Sequence, residues 1–446
     1  MRDSPPGLPV REAAVTLLNS WDQKPSPISH SLDAARRQLE DPRDRAFLTN
    51  LIFTTFRWLG WADAVLDARL RQGLASLTPP LRNILRIGIV QLYRMKGREP
   101  HAVVHTSVAL AKRMTGDRRH NLVNAVLRGL LREPPGEREI RTGDEMEDLA
   151  RIYSHPSWIL KRWDAQYGRE RLLEICRWNN ASPQLSFRIR GGGAVREVLL
   201  SELRAEGLSP EPGALLPDHY RLEAGYIPEE SRWVKEGRIV IQDESEALVP
   251  LLWDPRPPIL DTCAGPGTKL GRLAEMSADA GVVLGWDLTW ERIRLVAETA
   301  SRLELPNIRC VVADATRPPI RGPVGAILVD APCSNLGVLC RRPDARWLRR
   351  PREIEERAAL QKELVGEALK LLGPGGLLLY SVCSLEPEET DGVLAPFTLE
   401  EGGPLEWVEP AISLPEDIRG GRGRLRIRPG QRGMEGVYAA LGRKAA

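Results

Sequence analysis

Two cysteines stand in short stretches whose residue types could support covalent chemistry. Residues 330–334 read DAPCS and residues 380–384 read YSVCS, and each stretch follows a segment typical of a buried strand. A thiolate attacks electron-poor carbon, and a neighbouring carboxyl group can give or take a proton. We therefore expect Cys383, Cys333 and Asp330 to be catalytic, with one thiol as the nucleophile and the other assisting. Chemistry alone leaves the two thiols interchangeable.

Four predicted strands in the second half of the chain end in aspartate, at Asp261, Asp287, Asp314 and Asp330. Strands and helices alternate after about residue 241, which predicts a doubly wound parallel sheet of the α/β class. Ligands of such sheets bind beyond the carboxyl ends of the strands, so the four carboxylates are expected to converge on one crevice. Acids in these places can bind ribose hydroxyls and an adenine amino group, which suits NAD and S-adenosylmethionine equally.

A turn after the first of these strands would bring the backbone close to that ligand at a helix N-terminus. Its glycines, Gly265, Gly267 and Gly271, lack the spacing of dinucleotide-binding turns, and Pro266 removes an amide donor that a pyrophosphate needs. The turn thus disfavours an NAD-dependent oxidoreductase, which would also leave both cysteines unexplained. The turn residues expected to bind the cofactor are Cys263, Ala264, Gly265, Pro266, Gly267, Thr268 and Lys269.

The composition narrows the remaining possibilities. The chain has 446 residues, and its net charge of +3 is too small to predict a partner. Its 6 cysteines form no Cys-x-x-Cys pair, which argues against a disulfide framework and against a metal site. Apolar runs are too short for a membrane span, and the first residues lack the pattern of a secretory signal. We expect a cytoplasmic protein, and a monomer.

Arginines cluster in two runs, at 341–350 and at 419–432. By charge alone each run favours a solvated basic face. Because both runs flank the cysteine motifs, they could also contact nucleic-acid phosphates. A thiol of ordinary pKa is mostly protonated at neutral pH, so we expect a helix N-terminus or nearby cations to favour the thiolate, with Arg341 and Arg342 as candidates.

The first 138 residues predict an all-α domain, since apolar residues recur at three- and four-residue spacing from about 10 to 132. Asp41 before Pro42 is typical of a helix start. This part resembles the NusB-like RNA-binding domain through segments that include 44–47 (DRAF), 101–105 (HAVVH) and 123–128 (VNAVLR). Residues 147–240 predict a small α+β subdomain, and residues 241–446 predict the Rossmann-like α/β domain that contains both cysteine motifs.

The motifs of the α/β domain, taken in order, resemble those of the RNA cytosine-5 methyltransferase family. The match includes 242–245 (QDES), the turn at 263–269 and both cysteine motifs. With its helical front, the whole chain resembles the RsmB (Sun/Fmu) family of bacterial 16S rRNA cytosine-5 methyltransferases. The resemblance implies that Cys383 is the nucleophile and that Cys333 releases the product. It also implies that S-adenosylmethionine is bound by the turn residues and by Asp287, Arg292, Asp314 and Asp330.

The family's chemistry would explain both cysteines. Cytosine C5 is too electron-poor to attack a sulfonium methyl group until a thiolate adds at C6. A base inside a duplex cannot present C6, so the RNA, which the family implies to be 16S rRNA, must be single-stranded or must have the cytosine flipped out. The sequence departs from the family pattern at Thr268, Leu270, Val382, Thr390 and 435–438, and none of these changes removes a reacting group.

Other functions remain open at this point. A DNA methyltransferase also uses a Pro-Cys nucleophile like that at Cys333, but such enzymes lack the second cysteine motif and the helical front. A non-catalytic RNA-binding or assembly factor with a decayed methyltransferase domain is disfavoured, because both cysteines and Asp330 are present. Within the enzyme class, another RNA such as tRNA is the alternative substrate.

Overall fold

The fold is taken from a computed structural model of the chain. The structure describes residues 7–116, 119–136, 139–223, 227, 231–277 and 281–445. The first six residues and the predicted domain boundary at 138 lie outside them. The chain divides into two compact units, of which the first comprises Met1–Ala181 with Leu339–Arg349 and the second comprises Ser182–Val338 with Arg350–Ala446.

The first unit is helical, as the apolar spacing predicted. Its core includes Ile84, Leu85 and Ile87, which are fully buried. The predicted start of the third helix is confirmed, because the Asp41 carboxylate accepts a hydrogen bond from the Arg43 amide at 2.8 Å. The helices are α1 (Leu8–Gln23), α2 (Ile28–Arg37), α3 (Pro42–Arg57), α4 (Leu59–Arg69), α5 (Pro79–Arg94), α6 (Pro100–Thr115), α7 (His120–Arg132), α8 (Glu145–Ile152), α9 (Ser157–Tyr167) and α10 (Arg169–Asn180).

The second unit begins with a small antiparallel sheet in the order β2-β3-β1-β4. Two helices, α11 and α12, belong to the same part of the chain, and Leu199 and Leu203 of α11 share a core with Phe187 of the sheet. The predicted α+β character is thus confirmed for these elements, whereas residues 147–181, which the prediction assigned to the same part, group with the helical unit. Its elements are β1 (Leu185–Ile189), α11 (Gly193–Ala205), β2 (Glu211–Pro212), β3 (His219–Leu222), α12 (Arg232–Lys235) and β4 (Ile239–Ile241).

A larger sheet follows in the order β10-β12-β9-β8-β5-β6-β7, with β11 paired to β12. Strands β5 to β9 run parallel, and β10, β11 and β12 add antiparallel pairs at one side. The predicted parallel sheet is confirmed, and the three antiparallel strands extend it at one side. The strands are β5 (Ile259–Asp261), β6 (Val283–Asp287), β7 (Ile308–Val312), β8 (Val324–Asp330), β9 (Leu372–Val382), β10 (Leu405–Trp407), β11 (Arg424–Ile427) and β12 (Val437–Lys444).

Helices flank this sheet, so its central strands are buried and read as apolar runs. Ile327 and Leu328 of β8 and Leu379 of β9 are fully buried. In the part of the chain that the structure describes, no helix combines the length and the apolar character needed to cross a membrane. The helices of the larger sheet are α13 (Glu244–Leu248), α14 (Thr268–Met276), α15 (Trp290–Arg302), α17 (Pro351–Leu371) and α18 (Asp391–Leu394).

An excursion of the chain between β8 and α17, residues Leu339–Arg349, belongs to the helical unit. It contains the short helix α16 (Ala345–Leu348), in which Arg346 is fully buried. The guanidinium of Arg346 donates to the backbone carbonyls of Ser154 and Asn179, each at 3.0 Å. The interpretation of this arginine run as a solvated basic face is therefore wrong at Arg346, because carbonyl oxygens hold this cation inside the helical unit.

The neighbours of Arg346 are anchored in the same unit. The Asp344 carboxylate accepts a hydrogen bond from the Ile28 amide at 3.1 Å, and the Trp347 indole donates to the Phe56 carbonyl at 2.7 Å. Arg342 stays exposed. Only part of the first arginine run is therefore available to a polyanion.

Candidate active site

Three aspartates end neighbouring parallel strands at one edge of the larger sheet. Asp261 is the last residue of β5, Asp287 of β6 and Asp330 of β8. Asp314 follows shortly after β7, and its Oδ1 accepts from the Thr316 hydroxyl at 2.7 Å. Because parallel strands deliver their carboxyl ends to one edge, all four aspartates lie at that edge, and the space beyond the strand ends is called the crevice.

The turn after β5 is bound to the second aspartate. The Gly265 amide and Arg292 Nε both donate to Asp287 Oδ2, at 3.0 and 2.8 Å. Arg292 Nη2 also donates to the Gly265 carbonyl at 2.6 Å. Gly267 has a φ of 102°, and a Cβ there would lie 3.2 Å from Val296 Cα, so this position requires glycine. The turn and Asp287 are therefore preorganised together.

Lys269, at the start of α14, is buried between two carboxylates. Its ammonium donates to Asp330 Oδ2 at 2.8 Å and also to Glu246 of α13. Burial alone would lower the pKa of Lys269, but the charges of Asp330 and Glu246 outweigh burial and raise the pKa. The sequence predicted that Lys269 binds the cofactor together with the rest of the turn. In the structure its ammonium is bound to the Asp330 carboxylate. Glu246 was missed because an isolated Glu in a helix gives no signal.

The crevice concentrates negative charge. Burial, together with the nearby charge of Asp330, raises the pKa of Asp261 to about 8. Burial and the charges of Asp261 and Asp287 also raise the pKa of the Cys263 thiol. A cofactor that brings positive charge would relieve this repulsion, whereas a pyrophosphate would add to it. The electrostatics thus speak against a dinucleotide at this edge.

The two cysteines meet in this unit, and all six cysteines of the chain are free thiols. Cys333 Sγ and Cys383 Sγ lie 3.0 Å apart. The hydrogen bond with Cys333, burial, and the charges of Glu246 and Asp330 raise the pKa of Cys383. The expectation that nearby cations favour the thiolate is therefore wrong for the protein alone. Arg341 and Arg342, named for that role, belong to the excursion that packs in the helical unit.

Glu389 joins the two cysteine motifs. It is fully buried, and its carboxylate accepts from the Ser334 amide at 2.8 Å and from the Ser334 hydroxyl at 2.5 Å. The Ser334 hydroxyl lies 3.1 Å from the Ser384 hydroxyl. Each serine follows one of the cysteines in sequence, so these bonds hold the backbone on both sides of the thiol pair.

Two arginines of the second run make contacts inside the second unit. Arg426 donates to Asp391 at 2.6 Å and lies 4.9 Å from the centre of the Tyr438 ring. Arg424 lies 4.4 Å from the centre of the Trp407 ring. The interpretation of this run as a solvated face is therefore wrong for these two residues, which support the antiparallel side of the sheet.

Comparisons with known proteins cover most of the chain. The NusB family model matches residues 8–132, and a model described as the RsmF/B-like ferredoxin-like domain matches residues 155–227. The model of the 16S rRNA methyltransferase RsmB/F family matches residues 251–442. A protein of Bacillus subtilis (strain 168), named probable ribosomal RNA small subunit methyltransferase B, is 31% identical over 98% of both chains. The chain belongs to the RsmB/F family.

Further similarities agree with RsmB/F membership and confirm the family resemblance seen in the sequence. The ribosomal RNA small subunit methyltransferase B of Vibrio cholerae is 31% identical over 97% of this chain and 96% of its own. The crystal structure of PH0851 matches all of both chains with a TM-score of 0.81 at 24% identity. NSun6 from Pyrococcus horikoshii with SFG matches 66% of this chain and 100% of its own, with a TM-score of 0.59 at 21% identity. The two solved structures support the fold.

Proposed function

We propose that this RsmB/F member transfers a methyl group from S-adenosylmethionine to C5 of a cytosine in 16S rRNA, through a covalent bond between Cys383 and C6. The observation that carries the proposal is the 3.0 Å distance between Cys333 Sγ and Cys383 Sγ. Both cysteines follow strands of the sheet whose neighbouring strands end in Asp330 and Asp261. The names of the curated relatives supply the substrate class. A single-stranded or flipped cytosine, and a monomeric enzyme, are part of the proposal.

The proposal assigns one task to each part of the chain. Residues 1–138 would bind RNA as a NusB-like domain, and residues 147–240 would act as a pre-catalytic RNA-binding subdomain. Residues 241–446 would form the methyltransferase domain. The family models that match within each of these ranges support the division.

The residues at the strand ends fit S-adenosylmethionine. An adenosyl group needs an acceptor for its ribose hydroxyls and an apolar surface for its base. Asp287 offers the acceptor, and the next residue, Leu288, exposes 65% of its surface. The acidic crevice around Asp261 suits the positive charges of the cofactor. When bound, S-adenosylmethionine supplies an electrophilic methyl group.

The proposed cofactor residues divide into two sets. The turn residues 263–269, Asp287 and Asp314 would surround the adenosyl and amino-acid parts. Arg292 would act indirectly, because it binds both the turn and Asp287. Asp330 would face the cytosine as well as the cofactor, since it ends the strand before the Cys333 loop.

In the proposed reaction, Asp330 carries a proton between Cys383 and N3 of the cytosine. Cys383 loses its proton and its sulfur bonds to C6, while the C5–C6 π electrons move towards N3. N3 takes up that proton through Asp330, which is bound by Lys269 at 2.8 Å and by Ser381 at 2.5 Å. C5 becomes nucleophilic and would take the methyl carbon, whose bond to the sulfonium sulfur would break and leave the electron pair on that sulfur, so that a neutral thioether departs.

Release then reverses the addition. The C5 proton passes to the sulfur of Cys333, which has lost its own proton to solvent, and the C6–S bond breaks. N3 returns its proton through Asp330 to the departing sulfur of Cys383. One proton is released overall, which matches the replacement of hydrogen by methyl at C5.

A transfer assay tests the proposal directly. The protein is incubated with labelled S-adenosylmethionine and unmethylated small-subunit rRNA, either naked or in particles, and nucleosides are separated by mass spectrometry. We expect labelled 5-methylcytidine, and none with Cys383→Ala. RNA binding without any transfer would favour the assembly-factor alternative, and label in tRNA but not in rRNA would correct the substrate.

A further inference from the structure

Asn335 holds a backbone conformation that few residues adopt and places its amide beside both thiols. Its φ is 63°, in the left-handed region where asparagine is better tolerated than most residues. Its Oδ1 lies 3.0 Å from Cys383 Sγ and 3.9 Å from Cys333 Sγ. In the thiol form, Cys383 donates this hydrogen bond to the amide oxygen.

The backbone around Asn335 is bonded to the nucleophile's own strand end. The Gly337 amide donates to the Cys383 carbonyl at 3.0 Å. A Cβ at Gly337 would lie 2.8 Å from that carbonyl oxygen, so the approach depends on glycine. The position of Asn335 relative to Cys383 is therefore fixed by the loop, and only the side-chain torsions of Asn335 remain adjustable.

We propose that Asn335 is a catalytic residue whose side-chain amide binds the sulfur of Cys383 in both its protonated and its ionised form. The inference rests on the proposed function only in taking Cys383 as the nucleophile. When the sulfur loses its proton, rotation of the amide group about its last torsion replaces the oxygen by Nδ2–H, which donates to the thiolate. One side chain thus serves both states without movement of the backbone.

The contact also distinguishes the two sulfurs. A thiolate at Cys383 can accept hydrogen bonds from Cys333 and from Asn335, whereas the amide is more distant from Cys333. Among the described residues, the charges that act on Cys383 include the carboxylates of Glu246 and Asp330, with Lys269 bound between them. The acids oppose ionisation of Cys383, so a neutral donor at Asn335 would ease the ionisation of Cys383 more than that of Cys333.

The test measures thiol ionisation in the full-length protein without RNA or cofactor. Iodoacetamide alkylation is followed at Cys383 and Cys333 by peptide mass spectrometry over a series of pH values. Asn335→Asp places a negative charge at the position 3.0 Å from the sulfur. We expect the pH midpoint of Cys383 to rise by about one unit or more and its rate at neutral pH to fall about tenfold.

Asn335→Gly provides a second variant, because glycine accepts the positive φ while removing the amide. We expect the rate of alkylation at Cys383 to fall relative to the rate at Cys333, with the melting temperature retained. Asn121→Asp makes the same chemical change at an exposed position of α7 and should leave both midpoints unchanged. An unchanged midpoint in Asn335→Asp, or an unchanged ratio of the two alkylation rates in Asn335→Gly, would overturn the proposal.

Failure of this inference and failure of the proposed function give different results. If the chain methylates no cytosine, the wild type fails the transfer assay, and alkylation still tests Asn335. If Asn335 has no catalytic role, Asn335→Gly keeps the wild-type kcat and pH profile while Cys383→Ala is inactive. We expect instead a fall in kcat of about tenfold in Asn335→Gly, with an unchanged KM for S-adenosylmethionine.

Discussion

The ammonium of Lys269 lies 2.8 Å from the carboxylate of Asp330, at the end of β8. Ser381 of β9 binds the other oxygen of that carboxylate at 2.5 Å. Loss of Lys269 would leave the Asp330 carboxylate beside Glu246 without its cation. Loss of Asp330 would leave the buried Lys269 ammonium with Glu246 alone. The pair therefore links the stability of the second unit to the proton transfers proposed for cytosine.

Lys269→Met is expected to impair folding stability and activity together. The variant leaves Asp330 and Glu246 facing each other without their shared cation, which should lower the free energy of unfolding by about 3–5 kcal/mol near neutral pH. Methyl transfer should fall by at least about 100-fold, since the proton path proposed between Cys383 and N3 would be lost. Denaturant titration and the transfer assay measure the two effects.

The exposed Lys370→Met serves as the control, because that side chain is 72% exposed and pairs with Glu367. It should change neither quantity. Acidification should restore much of the stability of Lys269→Met as the carboxylates take up protons. A loss of stability that is the same at every pH would show that the charges of Asp330 and Glu246 do not cause it.

Asp261 is expected to make the protein less stable as pH rises. Its pKa in the folded state is about 8, above the unfolded value near 3.9. Between these values the folded state keeps a proton that the unfolded state has lost, so the free energy of unfolding falls as pH increases through that window. Asp261→Asn should remove this slope and be more stable than the wild type by a few kcal/mol near pH 8. Urea titrations at several pH values would show it, and an unchanged slope would refute the assignment.

The two cysteines should differ in the species that each variant accumulates. Cys333→Ala should form the bond to C6 but release it slowly, so RNA remains attached to the protein after denaturation. Cys383→Ala should form no such adduct. Gel mobility under denaturing conditions distinguishes them, and an adduct in Cys383→Ala alone would show that the two roles are reversed.

Glu389→Ala should separate the two cysteine motifs. The variant leaves the amide and hydroxyl of Ser334 without their buried acceptor, at a cost of about 2–4 kcal/mol in unfolding free energy. Adduct formation should slow because the distance between the thiols is no longer held. Glu400→Ala, at an exposed position, provides the control. Equal effects of both variants would show that Glu389 does not hold the two cysteine motifs together.

The elements that position the site could be predicted from the sequence because they depend on local patterns. Apolar runs that end in Asp261, Asp287 and Asp330 identified three strand ends, and Asp41 before Pro42 identified a helix start. Such signals reside in a few consecutive residues, and propensity and capping are sufficient to interpret them.

The contacts inside the site could not be predicted in the same way. Glu246 reaches Lys269, and Asn335 reaches Cys383, across separations that only the packed sheet closes. The raised pKa of Cys383 likewise depends on burial and on acids from other elements. At Arg346 the prediction from sequence was wrong. A run of charged residues predicts exposure to solvent, but backbone carbonyl groups that are distant in the chain bind this guanidinium in the interior.

Burial of Arg346 in the helical unit has a consequence for synthesis on the ribosome. Met1–Ala181 leaves the exit tunnel first, yet its core lacks the Arg346 guanidinium and the Trp347 indole until about 170 further residues have been translated. At 5–20 residues per second this interval is on the order of ten seconds or more. During that time the carbonyls of Ser154 and Asn179 lack the hydrogen bonds that the Arg346 guanidinium later donates. The nascent helical unit therefore reaches its final packing only after the Cys333 motif has itself been made.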